Sequence, residues 1–530
     1  MKTADQIIDK TMKLINPSSE PIRCTDTSNA EKIVELFGDR VRFDHRRKRW
    51  LLWKSPRWCP DDSGEINRFA VLAVKQLYSD AKDIEDLSKR TAVAKWAIQS
   101  ESKMRLDAST GIAKNLLPIA DNGQEWDQHK NLLACENGII DLNDGSFREG
   151  KQEDRITMST HISYDPAATC PRWEQFIGEI FEGNEELIRF VHKALGYTLT
   201  GDTSEQVVFF CYGIGSNGKS VLFSTLRNVL GDYSHDAPFH TFQRNQTTTS
   251  NDLASLEFKR MVVSSEVLGG RKIDESRLKN ISGGDAITAR YLYAEGFTFE
   301  PHCKIWLFVN HKPLVSDDSL GFWRRVRLIP FTRIFTTAQQ DLKLTQKLQT
   351  EQSGILNWLI QGCLLWQQEG LQPIPQCVLE ATSEYQQESD TLADFINEKC
   401  ELLPTVETKA SDLWKAYQAW AIEQGYDKKE SLGSKTFYQK IGERYKRLEG
   451  KKGNFYRGIS LSGGGSSTNF EATVEVQGSF PQTTSRDFSH REFSKTGLEA
   501  PPRAYEVPPT STNDKKSEQD EFLDNLEVIE

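Results

Sequence analysis

The residues best suited to chemistry form a glycine-rich run that ends in a lysine and a serine, Gly213-Ile214-Gly215-Ser216-Asn217-Gly218-Lys219-Ser220. Glycines at this spacing let successive backbone N–H groups point at phosphate oxygens, and a helix start behind them favours an anion. In such a loop the lysine contacts the transferred phosphate and the serine hydroxyl binds Mg²⁺. A strand-like run, VVFFCY, precedes the loop and a helix-like run, SVLFSTLRNVL, follows it, which disfavours a chance glycine-rich turn. The run therefore predicts a site for a nucleoside triphosphate with Mg²⁺.

A carboxylate follows a second strand-like run, Met261-Val262-Val263-Ser264-Ser265-Glu266. We expect Glu266 at the carboxyl end of a strand, which is the edge where α/β sheets bind their ligands. Taken alone, a glutamate at the end of a strand is usually an ordinary solvated residue. After a phosphate-binding loop it becomes the candidate acid, and its role, ordering Mg²⁺ or polarising the attacking water, stays open.

Two further polar features follow in the same region. Asn310 ends the run IWLFVN, where its amide could position water against the γ-phosphate, although Pro313 also suits a strand-ending turn. Arg324 and Arg325 lie in GFWRRVR among apolar residues, where burying a guanidinium is costly unless it meets an anion or a carbonyl. One of them could contact the γ-phosphate held by a neighbouring subunit, and ordinary salt bridging is the alternative.

These residues need an alternating α/β core to hold them. The runs EQVVFFCYG, FKRMVVSSE and HCKIWLFVN have the continuous apolar character of buried parallel strands, so 205–335 is predicted to be a nucleotide-binding α/β domain. Upstream, 41–58 predicts a two-stranded hairpin, 64–117 helices, 136–150 a hairpin that turns at Asp144-Gly145, and 171–200 helices. Asp141 and Asp144 are interpreted as turn residues. Downstream, 338–400 predicts helices.

The C-terminal part divides into a basic unit and a tail. Two helical segments and a hairpin-like, basic segment over 401–461 have the order of a winged helix, and a solvated basic face is the alternative to DNA binding. The cluster Arg46-Arg47-Lys48-Arg49 beside Trp50 and Trp53 raises the same question, but a solvated hairpin with buried tryptophans is favoured. Residues 462–530 lack periodicity and predict disorder, with an acidic end that could dock a replication partner.

The overall composition of the chain limits the kinds of protein that it can be. The chain has 530 residues, a net charge of −10 and nine scattered cysteines without a C-x-x-C pair. No apolar stretch approaches the roughly 20 residues that span a bilayer, and the N-terminus lacks the apolar core of a signal peptide. We expect a cytoplasmic protein (host cytoplasm if phage-encoded) without a membrane partner, whose cysteines behave as small apolar residues.

Several blocks in order, KRMVVSSEV, LKNISGGDAITARYLYAEGFTFEP, KIWLFVNHKP and GFWRRVRLIPF, together with NLLACENGIIDL upstream and EYQQESDTLADFI downstream, resemble the superfamily three helicases of phage, plasmid and poxvirus primase–helicases. The resemblance covers roughly 28–460. It implies ATP and Mg²⁺ as cofactors and a ring, usually a hexamer, with single-stranded DNA in its channel. Lys219 and Ser220 would then be Walker A, Glu266 Walker B, Asn310 sensor 1, and Arg324 or Arg325 an arginine finger.

The same resemblance implies a β-hairpin between Gly283 and Glu300 that projects into the channel, with its tip near 293–296 and Lys279 and Arg290 close by. Ser264-Ser265 depart from the family, in which many members carry a second acid there. No zinc-ligand set or paired-carboxylate site precedes the helicase part, so no primase activity is expected. The residues predicted to contact DNA are Lys279, Arg290, Lys435, Lys440, Arg444, Lys451 and Lys452.

We therefore predict an α/β protein with an AAA+-like P-loop core: a DNA helicase of phage or mobile-element replication, acting on single-stranded and forked duplex DNA. An origin-binding or helicase-loading ATPase is the alternative, and a degenerate structural subunit is a third. The predicted domains are an N-terminal α+β region (1–125), a helical collar-like region (126–200), the ATPase (201–340), a helical lid (341–400), the winged helix (401–461) and the tail (462–530).

Overall fold

Three of the apolar runs form the middle of a five-stranded parallel sheet. Its strands are β8 (Val208–Tyr212), β9 (Ser234–Asp236), β10 (Met261–Ser265), β13 (Lys304–Val309) and β14 (Val326–Pro330). Their order across the sheet is β14-β8-β13-β10-β9, and every neighbouring pair is parallel. The predicted α/β class with a parallel sheet is confirmed.

The computed structural model describes residues 23–244, 250–265, 272–292, 295–315, 319–426, 431–450 and 453–462. Several sequence predictions lie outside these residues. They concern Glu266, Lys451, Lys452, positions 293–294 of the expected hairpin tip, and the tail beyond 462.

Both faces of the sheet are covered. Phe209 and Trp306 face one apolar core, while Phe210 and Leu307 face the other, as the alternation of side chains along a strand requires. The helices on these faces are α5 (Pro171–Ile180), α6 (Glu185–Leu199), α7 (Lys219–Leu230), α8 (Ser250–Ala254), α9 (Glu275–Gly283) and α10 (Leu320–Trp323), followed by α11 (Leu344–Thr350), α12 (Gln352–Glu369) and α13 (Gln376–Glu388). The helical predictions for 171–200 and 338–400 are confirmed.

The described residues of the N-terminal part begin with α1 (Asp26–Phe37) and form a sheet of order β3-β2-β1-β4. Its strands are β1 (Val41–Asp44), β2 (Arg49–Lys54), β3 (Arg57–Pro60) and β4 (Ala120–Asp121). The two-stranded hairpin predicted for 41–58 is wrong by one strand. After Lys54 a tight turn sends the chain back, so that Trp58 pairs with Trp53 and β3 joins the sheet.

Three helices follow, α2 (Glu65–Lys82), α3 (Leu87–Ser100) and α4 (Lys103–Ala113), as the pattern over 64–117 predicted. A small sheet of β5 (Leu132–Ala134), β6 (Ile139–Asp141) and β7 (Ser146–Arg148) contains the predicted hairpin. At its turn Gly145 has φ 77°, and the carboxylates of Asp141 and Asp144 accept hydrogen bonds from the backbone N–H groups of Asn143 and Ser146. Their interpretation as turn residues is confirmed.

The last described part has its own apolar core. It contains α14 (Thr391–Lys399), β15 (Cys400–Glu401), β16 (Glu407–Lys409), α15 (Ala410–Glu423), α16 (Ser434–Arg444), β17 (Lys446–Gly450), β18 (Gly453–Arg457) and β19 (Ser460–Leu461). The strands β17 and β18 form an antiparallel hairpin, and β16 pairs with β18. The predicted order of helix, helix and hairpin is confirmed.

Two observations bear on the expectations from composition. All nine cysteines are free, and six of them are buried, as apolar side chains of that size would be. Among the helices of the described ranges, none combines the length and the apolar character needed to cross a membrane.

Candidate functional site

The glycine-rich loop lies at the carboxyl end of β8 and runs directly into α7. Ser216 and Gly218 adopt left-handed backbone conformations, with φ of 54° and 83°. A Cβ atom on Gly218 would come within 2.6 Å of the Cγ2 atom of Ile180, so the turn has room only for glycine. Because the first N–H groups of a helix have no intrahelical acceptor, α7 presents donors at this loop. The arrangement suits an anionic ligand.

Lys219 is buried at the start of α7. Its ammonium donates to the Gly213 carbonyl and lies 3.4 Å from the Oδ1 atom of Asn310. Burial lowers the pKa of Lys219, because desolvation disfavours its charged form. Both acceptors are neutral oxygens, so a phosphate would relieve that desolvation by supplying the missing negative charge.

Asn310 reaches Lys219 because β13 and β8 are parallel neighbours whose carboxyl ends meet at one edge. The next strand along, β10, ends at Ser265 beside a cavity of about 840 Å³ that Ser220 also lines. Ser264 is buried there, and its hydroxyl has no hydrogen-bond partner among the described residues. Three of the predicted site residues, Lys219, Ser220 and Asn310, thus share one edge of the sheet, and Ser265 immediately precedes Glu266.

The arginine pair lies at the opposite edge of the sheet. Arg324 and Arg325 precede β14, and the Arg325 carbonyl accepts the N–H group of Val208 at the amino end of β8. Both guanidinium groups share the Oε1 atom of Gln206, at 2.9 and 3.2 Å. Burial, followed by the charge of Arg324, lowers the pKa of Arg325. Within the described ranges neither guanidinium forms an ion pair with a carboxylate, although the charge of Asp285 acts to raise the pKa of Arg325.

The predicted hairpin is present as β11 (Ile287–Ala289) and β12 (Phe297–Phe299), which pair antiparallel. Arg290 is exposed directly after β11, and Lys279 is half-buried on α9. Beyond Arg290, Tyr291 and Leu292 expose 43% and 72% of their surface, and the Tyr291 ring stacks on Phe297 at 5.6 Å.

The predicted basic surface of the C-terminal unit is reduced by the structure. Lys435 is exposed, but Lys440 is 6% exposed because it shares one face of α16 with the core residues Phe437 and Ile441. Arg444 forms an ion pair with Asp390 at 2.6 Å. Lys440 is therefore not available for DNA contact, and Arg444 already has an acidic partner.

The N-terminal arginine cluster departs from its sequence-based interpretation. Instead of being solvated, Arg46 and Arg47 form ion pairs with the buried Glu257, and Arg47 and Arg49 with the buried Asp44. Trp50 and Trp53 are half-buried rather than buried. Sequence reasoning also missed Gln206, which no motif marks because its role depends on the fold bringing it to Arg324.

The chain is therefore a mixed α/β protein that has a parallel sheet and a glycine-rich loop at the carboxyl edge of that sheet. Three family models match the chain: "D5 N terminal like" over 30–182, a family of unknown function (DUF5906) over 211–325, and "Poxvirus D5 protein-like" over 387–459.

Curated relatives give the same indication. The chain is 28% identical over 315 residues to "Putative helicase L207/L206" of Acanthamoeba polyphaga mimivirus, covering 54% of this chain and 33% of that protein. It is 27% identical over 403 residues to "Putative helicase 022R" of Frog virus 3, covering 59% and 41%. It is 23% identical over 317 residues to "Primase D5" of Fowlpox virus, covering 56% and 37%. The chain thus spans well under half the length of these relatives.

Among solved structures, the C-terminal region of NrS-1 aligns with 84% of this chain and 100% of its own, at 10% identity and a TM-score of 0.41. The family models and the named relatives agree with one another. Two parts of the chain match models of D5 proteins, and the chain is similar to the putative helicases and the primase D5 of large DNA viruses. The predicted resemblance to the superfamily three primase–helicase type is confirmed.

Proposed function

We propose that this protein is an ATP-dependent DNA helicase whose P-loop core is AAA+-like and assembles into a ring, usually a hexamer. The observation that carries the proposal is the environment of Lys219. Its ammonium lies in a glycine-lined loop at the carboxyl edge of a parallel sheet, among neutral acceptors that cannot balance its charge. The names of the relatives, helicase and primase D5, favour coupling of the hydrolysis to strand separation.

Each residue of the loop has a role in this proposal. The backbone N–H groups between Gly213 and Ser220 would bind the phosphates of ATP, with Lys219 contacting the phosphate that is transferred. Ser220 and Glu266 would hold Mg²⁺, which neutralises charge on the phosphates. Asn310 would orient the attacking water. The shared edge of Lys219, Ser220 and Asn310 supports these assignments.

A second copy of the chain would complete the site. Arg324 and Arg325 lie at the amino edge of the sheet, a strand length of about 17 Å from the loop, and cannot reach the phosphates bound by their own protomer. Their sharing of one neutral amide leaves guanidinium charge to offer to an adjacent protomer. One of the two would then be the arginine finger, and ring closure would place it at the neighbour's nucleotide.

DNA contacts are proposed at two places. The β11–β12 hairpin, with Arg290 and Lys279, would contact single-stranded DNA in the channel. The C-terminal unit would act as a winged helix on the duplex part of a fork, through the exposed cations Lys435, Lys446 and Arg447. Burial removes Lys440 from this surface.

Forked-duplex unwinding with ATP and Mg²⁺ tests the proposal. Lys219→Ala should lower ATP turnover at least about 100-fold and abolish strand release, because the transferred phosphate loses its cation. Lys347→Ala is the matched control, since Lys347 pairs with Asp341 on the surface and should leave both activities unchanged. Unwinding by the Lys219→Ala variant at the wild-type rate would contradict the proposal.

The second candidate is an origin-binding or helicase-loading ATPase. The observation that favours it is the C-terminal unit, which has its own core and a hairpin flanked by exposed cations. In this case wild-type protein would bind DNA in an ATP-dependent way without releasing a strand. The same assay separates the two functions.

A further inference from the structure

Two arginines from the N-terminal sheet form ion pairs with a glutamate of the loop that leads into β10. Arg46 and Arg47 lie in the turn between β1 and β2. Their guanidinium groups contact the two oxygens of Glu257, Arg46 at 2.7 Å and Arg47 at 3.2 Å. The Glu257 side chain is 6% exposed. A buried carboxylate held by two cations has little freedom to move, since leaving either cation would strand a charge away from water.

The same turn is fixed on its other side. Asp44 is fully buried and accepts the backbone N–H group and the guanidinium of Arg47. Arg47 also donates to the Gly123 carbonyl at 3.0 Å. The guanidinium of Arg46 therefore projects from a rigid support, and its position is set by the N-terminal sheet.

Arg46 also contacts the β11–β12 hairpin. Its guanidinium carbon lies 5.0 Å from the centroid of the Phe297 ring, the first residue of β12. Among the described residues, Tyr291 and Phe299 are aromatic neighbours of that ring, with centroids at 5.6 and 5.8 Å, and the ring also packs against the apolar core beside the hairpin. Tyr291 in turn donates its hydroxyl to the Ala254 carbonyl at 2.9 Å. A single guanidinium thus contacts both the loop before β10 and the aromatic side of the hairpin.

We propose that Arg46 is a positioning residue, which holds the β11–β12 hairpin against the N-terminal sheet through Phe297 while Glu257 fixes the guanidinium. The role of the hairpin on DNA rests on the proposed function, but its placement by Arg46 does not. A lysine at this position could keep the ion pair with Glu257. It would lose the planar group that stacks on an aromatic ring and bonds a carboxylate at the same time.

Hydrogen exchange on the full chain tests the placement without any assay of activity. In Arg46→Ala, amides of Phe297–Phe299 should exchange about fivefold faster than in the wild type, because the cation–π contact is lost. Arg46→Lys should protect the loop around Glu257 as the wild type does but leave the hairpin amides fast. Arg68→Ala is the control, since Arg68 pairs on the surface with Glu65 and should leave the hairpin unchanged.

Activity supplies the second readout. Arg46→Ala should keep the ATP turnover and the KM for ATP measured without DNA, whereas stimulation by single-stranded DNA should fall several-fold. Hairpin amides that exchange at the wild-type rate in Arg46→Ala overturn the proposal. If exchange rises as expected but the wild type separates no strands, the proposed function fails and the placement stands.

A substitution of Phe297, whose ring contacts Arg46, tests the proposal independently in case Arg46→Ala destabilises the whole fold. Phe297→Leu keeps an apolar side chain and removes the ring. It should raise exchange within Ile287–Ala289 and Phe297–Phe299 while amides of β8 and β13 keep their protection. Unchanged exchange in the hairpin of this variant, or a rise that is uniform through the sheet, also overturns the proposal.

Discussion

Lys219 and His302 are both buried bases, yet their surroundings differ. Lys219 lies in the glycine-rich loop that we propose binds ATP, where a bound anion would offset its desolvation. His302 lies just before β13, where burial and the charges of Arg260, Lys130 and Lys304 lower its pKa to about 3. A histidine in such a place remains neutral in the folded protein and affects stability rather than chemistry.

His302 therefore predicts a loss of stability in acid. Its folded-state pKa of about 3 lies below the unfolded value of 6.5. Between these values the unfolded chain binds a proton that the folded chain does not, so the free energy of unfolding falls as the pH falls from 6.5 towards 3. At pH 5 the loss from this group is about 2 kcal/mol.

Urea unfolding at pH 7 and pH 5 checks this prediction. His302→Gln stays neutral throughout and should lose about 2 kcal/mol less than the wild type over that interval. His311→Gln, a change at an exposed histidine, should behave as the wild type does. Equal pH dependence of the wild type and His302→Gln would rule out this origin of the acid sensitivity.

At the scale of the element, two glycines of the loop between β8 and α7 differ in how much space surrounds them and in how far stability depends on them. Gly218→Ala puts a Cβ at a φ of 83° and within 2.6 Å of Ile180, so we expect a loss of at least about 1 kcal/mol in the free energy of unfolding. A Cβ on Gly215 meets nothing within 4 Å, and Gly215→Ala should stay within about 0.5 kcal/mol of the wild type. Chemical denaturation of the two variants measures the difference, which should vanish if the loop is free to rearrange.

The helix α16 gives a prediction about DNA. Lys435 is exposed on it and should contact one phosphate. Lys435→Ala should lower the log–log slope of duplex-DNA affinity against salt by about 0.9, since one fewer counterion is released. Lys399→Ala, at a lysine of the same unit that pairs with Glu423, is the control. Fluorescence anisotropy over a salt series measures both slopes, and an unchanged slope for Lys435→Ala would remove it from the interface.

Elements of this chain were predictable where local pattern determines them. Continuous apolar runs marked β8, β10 and β13, and the glycine spacing marked the loop, because both depend on neighbours along the chain. The third N-terminal strand and the burial of Lys440 were missed although their causes are local, since β3 pairs with β2 across a tight turn and Lys440 shares a face of α16 with Phe437 and Ile441. The ion pairs of Arg46 depend on Glu257, which is 211 residues away in sequence. No periodicity encodes such contacts, and so the basic clusters were taken for solvated or DNA-binding surfaces.

At the scale of the whole molecule, the separation of Lys219 from Arg324 and Arg325 predicts complementation between variants. Lys219→Ala and the double variant Arg324→Ala/Arg325→Ala should each be inactive alone. Mixed in equal amounts, about a quarter of the contacts should join an intact loop to intact arginines, so ATP turnover should return to about that fraction. No recovery in confirmed mixed oligomers would show that the arginines act within their own protomer.

The strand β14 connects the arginine pair to the glycine-rich loop. At its start are Arg324 and Arg325, and just past its end the Phe331 carbonyl lies 3.5 Å from the Nδ2 atom of Asn217 in the glycine-rich loop. Phe335 then donates its N–H group to the Ser216 carbonyl at 2.8 Å. A displacement of Arg324 or Arg325 would thus reach the glycine-rich loop along one extended segment of backbone.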